Sequence, residues 1–559
     1  MAPVLSKARA MVKDEGSCAC GPMKARPFLA ALAAVAALLM SLAVAAWWLL
    51  LQHGPLALQA QPLQLPLAAR FVPRTAPLSL HWLVGPDQPA AYARAVAPPR
   101  QRRAAAAALD RLRDGAFAAA GLDYPSELAP WLGNESSLAL LTPPADQGPP
   151  GWVLALRSRD SAGARRFLQR FWQTRSLAGT DLQISSYRGM GLISGRGALI
   201  GQEPQPLATA LINDELVLIA SGRGALEQAL DVSQIDELNQ AASAPLQQAV
   251  GRLGQGVALL TARPDAMQRW LGLPLSSAAG GAPQGLQELV AALQPAGSGV
   301  VVEALAQVRG PLSPRSLGGG AQLLQAVQQP SRSLALLSDP ASLLAPPADG
   351  EPADAWSALL GPALDHALSA LSGPLPALLA AADQGPLLWA DQAEGWLLGT
   401  PPATPSLEAV QQGLEADGYS LSPLQSHGQT LQAWTRLRSR PVKGNPDQLQ
   451  AELAGARAIE GAWAWWGQGL AVLQQQHEGH RPPEERLAQL QALEMPAAPV
   501  QWAVDGPLAR SLLARWTPWR LLTTLSSTAL APVVDGAAIG LEADGPQALH
   551  LRGRLELRG

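Results

Sequence analysis

The stretch Gly395-Trp396-Leu397-Leu398-Gly399 follows an earlier one, Gly151-Trp152-Val153-Leu154-Ala155, at an offset of 244 residues. Both are short apolar runs that begin with Gly-Trp, a composition typical of a buried strand. Each is followed by a segment with the apolar spacing of an amphipathic helix. A strand–helix pair of the same kind therefore occurs in each half of the chain.

Two further pairs of landmarks have nearly the same offset. Val257 and Val500 begin apolar strands 243 residues apart, and Trp270 and Trp516 lie in helical stretches 246 residues apart. Three similar offsets favour a duplicated unit over the alternative of two unrelated α+β domains. We therefore expect a first repeat unit at residues 71–312 and a second at residues 313–559.

The order of the predicted elements indicates the fold class. Short apolar strands alternate with amphipathic helices or arrive in adjacent pairs that suit hairpins. This order predicts an α+β fold with two similar units of mostly antiparallel sheet and helices packed on one face. A doubly wound α/β fold is the alternative.

Composition and charge exclude several classes of protein. Of 559 residues, 48% are apolar and 15% are charged, which is too apolar for a disordered chain. The formal net charge is −3. Residues 1–26 hold five basic and two acidic residues, so the rest of the chain carries −6. An acidic body has no electrostatic footprint for DNA or RNA, and no nucleic-acid partner is expected.

Cysteine and lysine are nearly confined to the N-terminus. The two cysteines are Cys18 and Cys20, so the body has no disulfide, thiol nucleophile or Cys-ligated metal. Beyond the N-terminus the one lysine is Lys443, in a turn-rich segment that does not suit a Schiff base.

Residues 28–51 read FLAALAAVAALLMSLAVAAWWLLL and contain no charge. As a helix they span about 36 Å, enough for a hydrocarbon layer of roughly 30 Å. The positive-inside rule then predicts a cytoplasmic tail at residues 1–26, a transmembrane anchor at 27–52 and a linker at 53–70. Trp47 and Trp48 are expected at the membrane interface, with the body in the periplasm or the thylakoid lumen.

A cleaved signal peptide is the alternative to an uncleaved anchor. Its apolar core is usually about 7–15 residues, shorter than this run. The small-residue sites near Ala45 and Ala60 fit cleavage poorly. Either outcome exports the body.

Motifs for cofactors and metals are weak. Gly189–Gly197 is glycine-rich, but its spacing differs from the dinucleotide loop G-x-G-x-x-G and more strand follows, so a bulged hairpin is expected. His477 and His480 have H-x-x-H spacing but fall in a polar connection, and His81 suits a half-buried strand histidine. No cofactor and no metal ligand is predicted.

Catalytic residues are not recognisable either, and one aromatic cluster stands out. There is no G-x-S-x-G sequence for a serine hydrolase. Trp463, Trp465 and Trp466 form a candidate ligand-contact cluster, in which Trp463 and Trp465 share a face if they lie on a strand. An exposed face of this kind suits a lipid, glycan or protein, whereas core filling is the alternative.

Five short motifs occur in the body of the chain: Val72-Pro73-Arg74-Thr75-Ala76-Pro77, Trp131-Leu132-Gly133-Asn134-Glu135, Asp160 with the Phe167-Leu168 helix, Tyr187-Arg188-Gly189 and Asn213-Asp214-Glu215. Together they resemble a cyanobacterial family of membrane-anchored proteins of unknown function, similar to DUF3352. The resemblance covers about residues 70–559 and is best in the first half. It implies an anchored envelope or thylakoid protein and no known activity.

These observations order the expected functions. A non-catalytic binding or assembly factor at a membrane, with another envelope protein or a lipid as partner, comes first. A carrier of a lipid or another hydrophobic ligand comes second and requires a cavity. A hydrolase without a recognisable motif comes third and requires polar side chains that converge in a pocket.

Overall fold

A computed structural model describes residues 54–142, 151–200, 203–273, 286–309, 312–313, 315–345, 354–426, 428–440, 448–479, 481–528 and 530–558. The predicted tail with Cys18 and Cys20, the predicted anchor with Trp47 and Trp48, and Lys443 and His480 lie outside these ranges.

Among the described residues of the unit 58–559, twenty strands form the framework. In the first half they are β1 (Leu78–Trp82), β2 (Leu132–Leu141), β3 (Gly151–Ser158), β4 (Asp181–Tyr187), β5 (Met190–Ile200), β6 (Glu203–Ile212), β7 (Leu216–Ala220), β8 (Ala258–Ala262), β9 (Leu286–Ala296) and β10 (Gly299–Val308). In the second half they are β11 (Ser333–Leu337), β12 (Leu387–Gln392), β13 (Gly395–Thr400), β14 (Ser420–Ser426), β15 (Gln429–Arg440), β16 (Gln448–Glu460), β17 (Trp463–Gly467), β18 (Val500–Asp505), β19 (Val534–Ala543) and β20 (Ala548–Leu557).

The same order of strand pairing occurs in both halves. Every pairing is antiparallel, and the first ten strands lie in the order β4-β5-β6-β7-β3-β2-β1-β8-β9-β10. The second ten follow the identical order, β14-β15-β16-β17-β13-β12-β11-β18-β19-β20. The predicted bounds 71–312 and 313–559 each enclose ten of these strands.

One pairing joins the two sets of ten strands. The end strand β10 pairs with the end strand β20, from Val300 opposite Leu555 to Gln307 opposite Ala548. An open sheet edge exposes unpaired N–H and C=O groups, and here each set satisfies those of the other. All twenty strands therefore belong to one hydrogen-bonded sheet.

The predicted fold class is wrong in its sheets and its transmembrane helix, and also in the packing of helices on one face only. The strands do not form one sheet per unit, because the pairing of β10 with β20 continues the sheet across the expected boundary. The structure also gives no support for a transmembrane helix as part of the fold. Within the described ranges, no helix has both the length and the apolar character needed to cross a membrane.

The connections contain fifteen α-helices within the described residues. They are α1 (Gln88–Val96), α2 (Arg102–Ala119), α3 (Ser161–Leu177), α4 (Arg223–Gln234), α5 (Ala244–Leu253), α6 (Pro264–Arg269), α7 (Gly320–Gln325), α8 (Pro340–Leu344), α9 (Ala355–Ser369), α10 (Leu375–Ala382), α11 (Leu407–Ala416), α12 (Leu470–Glu478), α13 (Glu484–Gln491), α14 (Gly506–Arg515) and α15 (Thr517–Ser526). Short 3₁₀ turns lie at Pro55–Ala60, Leu67–Phe71 and Ala531–Val533, and a π turn lies at Tyr124–Leu128.

Polar residues directly before several helices fix where those helices begin. The Asp160 carboxylate accepts a hydrogen bond from the Ala162 N–H at the start of α3. Ser406 does the same for α11 through the Ala409 N–H. Such caps satisfy N–H groups that have no partner inside the helix.

Helices pack on both faces of the sheet, not on one face as predicted. In β7, Leu218 contacts the cluster formed with α4, whereas its neighbours Val217 and Ile219 contact the cluster formed with α3. All five residues of β7 are buried. A strand covered on both sides reads as a continuous apolar run, as Leu216–Ala220 does.

Candidate functional site

The tryptophan cluster that the sequence singles out lies mainly in the core. Trp465 and Trp466 of β17 are buried, and Trp463 is partly buried. The ring of Trp466 stacks on Trp434, and its Nε1–H donates a hydrogen bond of 3.0 Å to Thr400 Oγ1. Trp465 and Trp466 thus fill space on opposite faces of a covered strand and present no surface to a ligand.

The glycine-rich stretch and His477 both lie in regular secondary structure. Gly189 forms the turn of the β4–β5 hairpin, and β5 has a bulge after Gly195, which confirms the expected bulged hairpin. His477 lies at the end of α12, not in a loop, with its Nδ1 2.9 Å from Glu460 Oε1. Among the described residues, no group of three His, Cys, Asp or Glu side chains is placed to hold a metal ion.

A buried network of polar side chains crosses β1 and its two neighbours. His81 Nδ1 lies 2.8 Å from Ser137 Oγ in β2, and His81 Nε2 lies 3.1 Å from Ser79 Oγ. Ser79 Oγ lies 2.7 Å from Thr261 Oγ1 in β8, and the Gln240 amide bonds to both hydroxyls at 3.2 Å. All five side chains are buried.

The chemistry of this His81 network does not suit a hydrolase. Burial lowers the pKa of His81 to about 4, so its imidazole is neutral at physiological pH. Ser79 next to the neutral imidazole of His81 resembles a nucleophile–base pair, but the other ring nitrogen, where a triad needs a carboxylate, bonds to the hydroxyl of Ser137. Since Ser79 is fully buried, its hydroxyl cannot reach a substrate.

The second half provides an internal comparison for this network. Leu334 and Leu336 hold in β11 the second and fourth places that Ser79 and His81 hold in β1. The strand neighbours differ in the same way, since Leu388 pairs with Leu336 where Ser137 pairs with His81. All these leucines are buried. The same fold therefore accepts an apolar core here, and the His81 network is a property of the first half alone.

A second polar cluster lies where β10 meets β20. His550 of β20 places its Nε2 2.9 Å from Glu303 Oε1 of β10 and its Nδ1 3.3 Å from Glu542 Oε1 of β19. Beside it, Arg552 is opposite Glu303 and forms an ion pair of 2.9 Å with Glu494. We call Glu303, Glu542, His550 and Arg552 the junction cluster.

Titration in the junction cluster is coupled. The hydrogen bond to Glu303 raises the pKa of His550 above its usual value, against the effect of burial, and Glu542 adds to the rise. The same hydrogen bond from His550 lowers the pKa of Glu303. The two shifts mean that the charged pair persists to a higher pH than a free histidine allows and to a lower pH than a free glutamate allows, and it bonds the two edge strands to each other.

A two-stranded arm in the second half is largely exposed. β14 pairs with β15 only as far as Thr435, and β17 pairs with β16 only from Ala456 onward. Residues 436–440 and 448–452 pair with each other beyond both neighbours. We call these two segments the β15–β16 arm.

The β15–β16 arm has one apolar and one charged face. Leu437 lies opposite Ala451, and Leu449 lies opposite Ser439, which places both leucines on the same face. Their exposed fractions are 70% and 72%. On the other face, Glu452 accepts bonds from two arginines, Arg436 and Arg438, each at 2.9 Å.

No sequence motif marks the His81 network or the junction cluster. The network joins residues from positions 79 to 261, and the junction joins residues 303 and 552, so only tertiary structure brings them together. For the arm a local signal exists: Leu437 lies in the alternating run Arg436–Arg440, typical of an edge strand.

Comparison with known proteins identifies a family without a known activity. The family described as "Protein of unknown function (DUF3352)" matches residues 32–339, more than half of the chain. No curated protein matches the chain.

Two solved structures show a distant likeness. Crystal form IV of TP0453 is 8% identical, with a TM-score of 0.24, and the match covers 44% of this chain and 81% of that one. Crystal form III of TP0453 is 9% identical, with a TM-score of 0.25, over 48% and 86% of the two chains. Scores this low do not indicate a shared fold.

Proposed function

The chain belongs to the DUF3352 family of proteins of unknown function, and we propose that it is a non-catalytic binding protein that recognises a protein partner through the β15–β16 arm. The observation that carries this proposal is the pair of exposed leucines, Leu437 and Leu449, on one face of a ribbon that extends beyond its sheet neighbours. Exposed apolar side chains side by side on a ribbon are typical of a contact surface.

An isolated two-stranded ribbon gains from a partner that buries its exposed leucines. A two-stranded ribbon without a third strand is marginally stable in water, and two leucines exposed on it lose hydrophobic free energy. Burial of both leucines in an interface contributes roughly 3 kcal/mol. The ion pairs of Glu452 keep the other face polar, so the partner is expected on the leucine face.

A binding role also agrees with the state of the most enzyme-like group. The Ser79–His81 pair is buried, and none of its hydrogen-bond partners among the described residues is a carboxylate. The proposal therefore assigns the protein to binding or assembly rather than to hydrolysis.

We further propose that the binding takes place on the non-cytoplasmic side of a membrane. The support is the basic and then apolar sequence of residues 1–51 and the absence of cysteine after Cys20. A protease-protection assay on sealed vesicles measures this directly. Digestion of the body by protease added on the cytoplasmic side contradicts it.

Site-specific photo-crosslinking in cells tests the role of the arm. The full chain carries p-benzoylphenylalanine at Leu437, at Leu449 or, as the matched control, at Gln450. Gln450 is exposed on the charged face of the same ribbon. We expect one common adduct from positions 437 and 449 and none from position 450.

A second measurement distinguishes loss of the partner contact from unfolding of the protein. With the photoprobe at 437, Leu449→Thr is expected to reduce the adduct while the urea midpoint stays unchanged, because Leu449 is 72% exposed. Equal adducts from all three positions, or none from the leucine positions, contradict the proposal.

A further inference from the structure

Helices α14 and α15, with Trp516 between them, form a segment without acidic residues. From Gly506 to Val534 the chain has no Asp and no Glu, and it carries three arginines, Arg510, Arg515 and Arg520. The rest of the folded body is acidic, so this segment is a local region of positive charge.

The inner sides of both helices are anchored in the fold. Ala509 of α14 and Trp519 of α15 are buried in one apolar cluster with Val534. α15 also lies directly on α2, where Gly115 approaches the backbone of Leu525 so closely that a Cβ would overlap its carbonyl oxygen. The orientation of α15 is therefore fixed by packing and its other side faces outward.

The outward side combines apolar and basic side chains. Leu512, Leu521 and Leu522 are exposed by 38%, 58% and 36%, together with Trp516 at 38%. Arg515 and Arg520 are exposed among them. We call Leu512, Arg515, Trp516, Arg520, Leu521 and Leu522 the α14–α15 face.

Trp516 is held in place at its polar end. Its Nε1–H donates a hydrogen bond of 2.6 Å to the carbonyl oxygen of Leu271. Trp270, the residue before Leu271, is itself 44% exposed. The indole of Trp516 has thus satisfied its one donor within the protein and can present an apolar ring surface to a neighbour.

The guanidinium groups of the two exposed arginines, Arg515 and Arg520, are available to an anionic ligand. Across the part of the chain that the structure describes, no carboxylate lies within ion-pair distance of Arg515 or Arg520. Arginine pairs well with phosphate oxygens, and its long stem lies along apolar surface while the guanidinium stays at a polar boundary.

From this arrangement we propose that the α14–α15 face docks on the surface of a membrane that contains anionic phospholipids. Leu512, Leu521 and the Trp516 ring enter the boundary between headgroups and acyl chains, and the arginines contact lipid phosphates. A fluid bilayer accepts separate protruding side chains without shape complementarity, which a protein partner requires. The proposal is independent of the β15–β16 arm and of residues 1–53.

An environment-sensitive fluorophore on the full chain tests this contact. The background is Cys18→Ser with Cys20→Ser, and the label is attached through Leu521→Cys. The matched control is Leu177→Cys, at the end of α3, where the side chain is 90% exposed. The protein is reconstituted into vesicles of phosphatidylcholine alone or mixed with phosphatidylglycerol.

In the phosphatidylglycerol vesicles we expect a blue shift at position 521 and quenching by a spin label placed shallow in the bilayer. We expect neither effect at position 177. Because the arginines provide the lipid preference, Arg515→Gln with Arg520→Gln or high salt is expected to abolish the difference between the two vesicle types.

Three results overturn the proposal. One is the absence of quenching at position 521 in both vesicle types. Another is equal quenching at 521 with and without phosphatidylglycerol, which would mean apolar adhesion without recognition of charge. The third is quenching at 177 as strong as at 521, which would mean that contact with lipid is not specific to this face.

Discussion

Glu303 in β10 lies directly opposite Arg552 in β20, and each is the fifth residue of its ten-residue strand. Since β10 and β20 hold the same place in the two sets of ten strands, these two residues occupy equivalent positions with opposite charge. His550 extends this contact, because its imidazole bonds to Glu303 across the same pair of strands. Charge complementarity therefore lies at the centre of the pairing that makes one sheet of two halves.

The His550–Glu303 pair predicts a pH window of stability. The raised pKa of His550 means that the pair's contribution is complete below about 6.5 and is lost as the pH rises through the folded-state pKa of His550. The lowered pKa of Glu303 means that the contribution is also lost as the pH falls below about 4.5 toward the folded-state value. His550→Gln is expected to cost about 1 kcal/mol near pH 6 and less at pH 9.

Urea unfolding at pH 6 and pH 9 measures this difference. His366→Gln is the control, because His366 is exposed on α9. An equal cost of His550→Gln at both pH values would refute the electrostatic role of the pair.

The His81 network predicts sensitivity to acid. The folded protein holds His81 neutral down to a pH of about 4, whereas the unfolded chain takes up a proton at about 6.5. The unfolded state thus binds more protons as the pH falls, and His81 alone removes about 1.4 kcal/mol of unfolding free energy per pH unit below 6.5. His81→Leu, the residue type found in β11, lacks this slope.

At pH 7.5 the same substitution has its own cost. Ser79 and Ser137 lose the imidazole as a partner, which destabilises the protein by about 1–3 kcal/mol. Comparing wild type and His81→Leu by urea unfolding between pH 7.5 and pH 5 separates the two effects. The two unfolding free energies should approach each other as the pH falls, and parallel curves would disprove the prediction.

Asp383, which directly follows α10, is a buried carboxyl whose charge destabilises the fold. Burial raises its pKa to about 7, with a smaller contribution from Asp339, although the Gly385 N–H bonds to its Oδ1 at 2.9 Å. Its Oδ2 has no partner among the described residues. A raised carboxyl pKa means that stability is lost as the pH rises from about 3.8 to 7.

Asp383→Asn removes this penalty and keeps an oxygen for Gly385. We expect the variant to be more stable than wild type by about 2 kcal/mol at pH 8 and equally stable at pH 4. Thermal unfolding at both pH values gives the comparison. A variant that is less stable at pH 8 would show that the carboxylate has an unseen favourable partner.

Gly115 of α2 allows the close contact with α15. A Cβ at this position overlaps the Leu525 carbonyl oxygen, so Gly115→Ala is expected to cost about 1–3 kcal/mol in unfolding free energy. In α5, Gly251 has open space around its missing Cβ, and Gly251→Ala is expected to stabilise by about 0.5–1 kcal/mol. Opposite signs at two helical glycines, measured by urea unfolding, test whether packing on α15 decides the effect.

The local sequence pattern is sufficient to predict the strands, but it does not predict which strands pair with each other. The Gly-Trp runs of β3 and β13 are apolar over several residues, and both form strands. Their neighbours are equivalent in the two halves, since β3 pairs with β7 and β13 pairs with β17. The pairing of Val300 with Leu555 depends on two chain segments far apart, and no spacing within either segment predicts it. The single sheet therefore depends on two edge strands that satisfy each other's backbone N–H and C=O groups in the folded chain.

The role of an individual side chain can be predicted from the sequence only where its burial can also be predicted. The face shared by Trp463 and Trp465 follows from alternation along a strand, but helices cover both sides of this part of the sheet, so alternation does not separate core from surface. The sequence predicts a half-buried His81 on its strand, but the side chain is fully buried, and its ring nitrogens bond to the hydroxyls of Ser79 and Ser137.

The antiparallel contact of two equivalent edge strands is the contact that two identical chains make in a symmetric dimer. Such a contact is typical of an ancestor of half this length that formed a dimer with itself. Gene duplication and fusion then joined the two copies in one chain. Fusion replaces association between molecules by an intramolecular step at a high effective concentration. In a fused chain the two copies can also differ in sequence, as they do where one copy has serine and histidine and the other has leucine.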